Sequence, residues 1–96
     1  MVYHFEIIDR YGRIIYMTTE RWKHIVTRHP EFANQLERIK QTVLTPSFQV
    51  QDRTDQDLHY LHTFIKEEKM YLIVAVKYLN GEGFIVTTFT SKNRKK

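Results

Sequence analysis

The sequence predicts an α+β domain of order ββααββββ, with two consecutive helices packed on one face of a twisted antiparallel sheet. Three observations predict it. Runs rich in β-branched and aromatic residues occupy both ends of the chain. The segment between them has helical periodicity and is cut once by proline. An Asn-Gly pair at 80–81 sits between two long apolar runs, the pattern of a tight hairpin.

Each element follows from local chemistry. "VYHFEIID" and "RIIYMT" flank "DRYG", a turn ending in glycine, so they read as a hairpin. Thr18 or Thr19 then caps a helix, with Glu20 in its first turn where a negative charge meets the positive helix end. Pro30 stops that helix, because the residue before a proline avoids the helical region. A second helix is expected at once: Phe32, Leu36, Ile39 and Val43 recur at spacings of four, three and four. "TPS" ends it. Strands follow at Phe48–Arg53, Leu58–Lys66, Lys69–Leu79 and Phe84–Ser91, with Glu67-Glu68 as a further tight turn.

Composition bounds the function. Ninety-six residues support one core, so residues 1–91 are expected to form a single domain and 92–96 a basic tail. Without cysteine, the chain has no disulfide, thiolate ligand or thiol nucleophile. The N-terminus has no basic-then-apolar pattern, and "YLIVAV" is far too short to span a bilayer, so a cytoplasmic protein is expected. The net charge of +4 suggests a polyanionic partner, yet four of the fifteen basic residues crowd into "KNRKK" at the end. Net charge therefore carries little by itself; clustering must carry the rest.

Strand alternation sorts the sheet into two faces. With even-numbered loops, Leu61, Thr63, Ile65, Met70, Leu72, Val74, Val76, Ile85, Thr87 and Phe89 share the drier face, which the helices should cover. Tyr60, His62, Phe64, Tyr71, Ile73, Ala75, Lys77, Phe84, Val86, Thr88 and Thr90 share the other, expected to stay open. That second set combines rings to stack bases, a cation for phosphate and hydroxyls to orient it. The plain alternative is a half-wet sheet surface where Tyr and Thr are simply good strand formers.

On the first helix, Trp22, Ile25, Val26 and His29 form one stripe, while Arg21, His24 and Arg28 lie within about 60° of each other on a second. Two guanidiniums beside an imidazole can hold a phosphate, which makes His24 the better chemical candidate. His29 falls on the apolar stripe at the helix end, where an imidazole can serve the last carbonyls. The plain alternative for the trio is a solvated helix face. Metal binding reads poorly. His24 and His29 are about 140° apart round the helix, and His59 and His62 point to opposite sides of one strand. Asp52, Asp55 and Asp57 lack the spacing of a calcium loop. No metal and no cofactor is expected.

The motifs "W-x-H-I-x-x-R-H-P-E", "TVLTPSFQV" and "GFIVTTFTSK" together resemble the small nucleases grouped as barnase–EndoU–colicin E5/D–RelE-like, most of all the RelE-like branch common in phages and toxin–antitoxin loci. The resemblance spans roughly residues 3–92. It implies metal-independent RNA cleavage: a base takes the ribose 2′-OH proton, cations steady the charge on phosphorus, and an acid protonates the leaving 5′-oxygen. Carried onto this chain, His24 would be acid or base and His62 the second proton-transfer group, with His29 matching the "RHP" histidine. Arg28 and Lys77 would clamp phosphate. Arg21, Tyr60, Tyr71, Thr88, Thr90 and Lys92 would line the RNA path. An antitoxin- or immunity-type partner would cover the open face. Two departures stand out: no glutamate falls on the expected open face, and no arginine precedes Arg94 on the closing strand. The second reading is a non-catalytic RNA-binding or protein-docking module using the same face.

Overall fold

The computed structural model describes residues 2–96. Its elements follow the expected order: β1 (Tyr3–Ile8), β2 (Ile14–Thr18), α1 (Thr19–Arg28), α2 (Leu36–Leu44), β3 (Phe48–Gln51), β4 (Leu58–Ile65), β5 (Met70–Leu79) and β6 (Glu82–Ser91). They build one six-stranded sheet of order β1-β2-β6-β5-β4-β3. The sheet is mixed rather than wholly antiparallel, because β6 inserts beside β2 and runs parallel to it from Ile14↔Glu82 to Tyr16↔Phe84. Everything between β2 and β6 is the connection that a parallel pair requires.

The helical half differs from expectation in one place. Phe32 belongs not to the second helix but to a short 3₁₀ turn, Pro30–Asn34, whose end at Gln35 leaves the helical region (φ −117, ψ 22). The turn still delivers Phe32 to the core, fully buried. α1 packs over β1, β2 and β6, and α2 over β4 and β5. Both helices bury their apolar stripes on the same face: Ile25, Ile39 and Val43 meet Leu61, Leu72, Val74, Val76 and Ile85. Removing each such side chain from water contributes about 1.5–3 kcal/mol. No helix among the described residues is long and apolar enough to cross a membrane.

The two turns keep the parity the face assignment needs. Asn80 (φ +54) and Gly81 (φ +80) form a two-residue loop that sets Leu79 opposite Glu82 and Lys77 opposite Phe84. The four residues after Ile65 close the other hairpin, setting Ile65 opposite Met70. Parity then fails at one point. A bulge inserts Val86, since Val76 pairs Ile85 but Ala75 pairs Thr87. One extra residue reverses every later side chain on that strand. Thr88 and Thr90 therefore register with Val74 and Leu72 on the helix-covered face, while Thr87 and Phe89 register with Ala75 and Ile73 on the other.

Candidate nucleic-acid interface

α1 is held from both ends of its chemistry. The Thr18 hydroxyl accepts from the Arg21 N–H at 3.1 Å, and Glu20 sits in the first turn with Arg28 in the last. Ile25 is buried, and Trp22 stacks on His4 of β1 with centroids 5.1 Å apart. These anchors orient the opposite side of the helix to solvent. There, Glu20, Arg21, Lys23, His24 and Thr27 line a shallow groove together with Thr18. Arg28 is exposed one turn beyond His24. Glu20, Arg21, Lys23 and Arg28 form no ion pair with any described residue, so their charges remain available to a ligand.

Glu20 and Lys23 are functional candidates that the sequence reading missed. Glu20 reads as a helix-start residue, yet it lies four positions before His24 and so shares its face. The spacing carried that signal. Lys23 lines the same groove, although it falls outside the stripe of Arg21, His24 and Arg28.

His29 ends α1, but among the described residues its ring bonds none of the last helix carbonyls. It caps α1, its backbone N–H donating to the Ile25 carbonyl at 2.8 Å. Its ring packs against Phe32 at 5.7 Å, and Nδ1 lies 3.7 Å from Glu31.

The expected composite site is not assembled. His24 stands on the helix side, whereas Tyr60, His62, Tyr71 and Lys77 stand on the opposite side, with the sheet between them. The second face is also not open in the expected way. Lys77 donates to Asp55 at 2.9 Å, and this partner lifts the ammonium above its ordinary range while lowering the Asp55 carboxyl. Tyr60 donates to Asp52 at 2.8 Å. Asp52 also accepts the backbone N–H groups of Asp55 and Thr54 and the Thr54 hydroxyl, and these bonds hold it well below the usual carboxylate range. Burial, and then the Asp52 bond, push the Tyr60 phenol up. The acidic loop that lacked a ligand pattern thus engages two groups expected to touch phosphate.

His62 is sealed. It is 0% exposed, with Phe48 and Tyr71 packed edge-on against its ring at 5.1 and 5.9 Å. Nδ1–H donates to the Tyr60 carbonyl at 3.1 Å, leaving Nε2 to accept the Lys95 N–H at 3.0 Å. Burial depresses its basicity, and Arg94 adds to the effect. The terminal residues therefore do not stand off as a free tail. The Arg94 guanidinium lies 4.5 Å from the Phe48 ring centre and the Lys95 ammonium 4.8 Å from that of Tyr60. Lys92 is exposed just past β6.

The threonines are corrected by the bulge. Thr88 is fully buried and donates to the Ile73 carbonyl at 3.0 Å, so its hydroxyl is committed to the sheet. Thr90 is half-buried on the face that carries α1. No three His, Asp or Glu side chains among the described residues gather as a metal-holding group. No family model matches the chain, and neither a curated protein nor a solved structure is measurably similar to it.

Proposed function

We propose that the chain binds RNA along the exposed side of α1 and cleaves it without metal. The observation that carries this reading is the groove that brings His24 together with Glu20, Arg21 and Lys23. Metal-free transesterification needs two proton-transfer groups and a cation within one phosphate's reach. A groove with a carboxylate and an imidazole one helical turn apart supplies that minimum. Glu20 would take the 2′-OH proton as O2′ bonds to phosphorus, and His24 would protonate the departing O5′. Arg21, Lys23 and Arg28 would balance the charge gathered on the phosphoryl oxygens. The products would be a 2′,3′-cyclic phosphate and a free 5′-hydroxyl.

The second reading is an RNA-binding module without catalysis on the same side of α1, supported by the charges of Arg21, Lys23 and Arg28, which form no ion pair with any described residue. Incubation with a mixed RNA pool in EDTA, beside His24→Ala and Glu20→Gln, separates the two. Discrete cyclic-phosphate ends that fall roughly 10²- to 10⁴-fold in either variant support the nuclease. Intact RNA that is still retained by the protein supports the module. Intact RNA with no retention removes both.

A further inference from the structure

A second basin on the helix side owes nothing to α1. The β1–β2 turn curls across the sheet toward β3, and Tyr11, Arg13, Gln49, Gln51 and His59 line the hollow between them. Tyr78 and Pro46 stand in the adjoining wall.

The turn is rigid for a physical reason. Asp9 is only 7% exposed and accepts three bonds of 2.9 Å: the backbone N–H groups of Tyr11 and Arg13 at Oδ1, and Nε of Arg13 at Oδ2. The Arg13 guanidinium is then fixed between two rings, 4.0 Å from the centre of Tyr78 and 5.2 Å from that of Tyr11. Among the described residues only its Nε is used, which leaves both outer nitrogens for a ligand. A guanidinium held this way loses little freedom on binding an anion.

The other walls offer different chemistry. Tyr11 is 66% exposed, with the Arg10 and Arg13 guanidiniums over its ring at 5.1 and 5.2 Å from the centre. Gln49 donates to Nδ1 of His59 at 3.2 Å, which leaves the ring proton on Nε2. Gln51 spends one amide proton on the Gln56 carbonyl at 2.7 Å and keeps its oxygen free. The basin thus presents an exposed stacking surface, a fixed fork of N–H donors, two amides and an imidazole N–H. An acidic peptide would use the fork alone. A nucleotide uses all of them: π-face, phosphate and base edge.

We propose that this basin holds one nucleotide of single-stranded RNA, its base stacked on Tyr11 and its phosphate on the outer nitrogens of Arg13. Gln49, Gln51 and His59 meet the base edge. The assignment deepens the RNA reading above and rests on it for the class of ligand, while the residues involved are wholly separate.

The test is an NMR titration of the full chain with nucleoside 5′-monophosphates, with inorganic phosphate, and with a single-stranded RNA octamer. The side-chain amides of Gln49 and Gln51 and the Arg13 Nε–H report on the basin; the amides of residues 20–28 report on α1. Nucleotides are expected to shift the basin signals beyond what phosphate does. Tyr11→Ala, at an exposed position, is expected to weaken octamer binding roughly 5- to 100-fold, with Tyr11→Trp restoring it. Shifts confined to α1, with Tyr11→Ala binding normally, overturn the basin and leave the α1 reading intact. Shifts confined to the basin keep this proposal and overturn the α1 site. Equal shifts from phosphate alone, with no effect of Tyr11→Ala, reduce the basin to an anion contact and overturn the proposal. No shift anywhere overturns both.

Discussion

The backbone N–H of Lys95 donates to Nε2 of His62 across 3.0 Å, so the last residues of the chain are tied to a fully buried imidazole. That bond exists only while Nε2 carries no proton. Protonation would set a donor against a donor and place a charge beside Arg94 in a dry site. The folded-state basicity of His62 is depressed below the ordinary value of 6.5. Its contribution to stability is therefore complete above about pH 6.5 and is lost as pH falls through the lower folded value. Urea midpoints are expected to drop between pH 7 and pH 5. Removing residues 92–96 should expose His62 and flatten this slope. An unchanged slope in the shortened chain would separate the tail from the histidine.

Cations differ in what they can offer RNA. Lys77 already has a carboxylate at 2.9 Å, whereas Arg28 forms no ion pair with any described residue. Arg28→Ala is expected to weaken RNA binding and reduce the salt slope by about one. Lys77→Ala should leave both unchanged. Affinity measured from 50 to 200 mM salt would decide it, and equal losses in the two variants would return the second face to the interface.

The sequence made the order of elements and the covered face legible because apolar periodicity and turn chemistry are local signals. Phe32, Ile39 and Val43 point inward even though a 3₁₀ turn replaces the first turn of the second helix. The site was less legible for two reasons. The Val86 bulge carries no glycine or other local mark, yet it reverses Thr88 and Thr90. The partners of Lys77 and His62 come from 22 and 33 residues away, and no spacing rule reaches that far. The helical stripe of Arg21, His24 and Arg28 was readable, as its geometry is purely local; adding Glu20 required only extending the same wheel.

Asp9 is the keystone of the β1–β2 turn. Burial pushes its carboxyl up, but the bonds from Arg13 and Tyr11 outweigh that and hold it below the ordinary 3.8. A depressed carboxyl contributes stability above its unfolded value and loses it as pH falls through the folded one. Asp9→Ala removes the acceptor for three donors and frees Arg13, at a cost of about 1–3 kcal/mol. Chemical denaturation at pH 7 measures this. The difference between wild type and Asp9→Ala should shrink below pH 3.8, and a constant difference would mean the carboxylate charge is not what holds the turn.

Gly83 is required by a ring rather than by backbone strain. Its cross-strand partner is Tyr78, and a β-carbon at position 83 would stand 3.0 Å from two atoms of that ring and 3.1 Å from Val76. Tyr78 cannot retreat freely, because the Arg13 guanidinium lies 4.0 Å from its ring centre. Gly83→Ala should therefore cost about 1–3 kcal/mol, as overpacking does in a dense interior. The cause is separable by a double-mutant cycle. In a Tyr78→Leu background the ring is gone and only the Val76 contact at 3.1 Å remains, so the cost of Gly83→Ala should fall by more than half. The same displacement would move Arg13, so the single variant should also disturb the Arg13 Nε–H resonance, and a silent resonance would mean that ring and guanidinium are not mechanically linked.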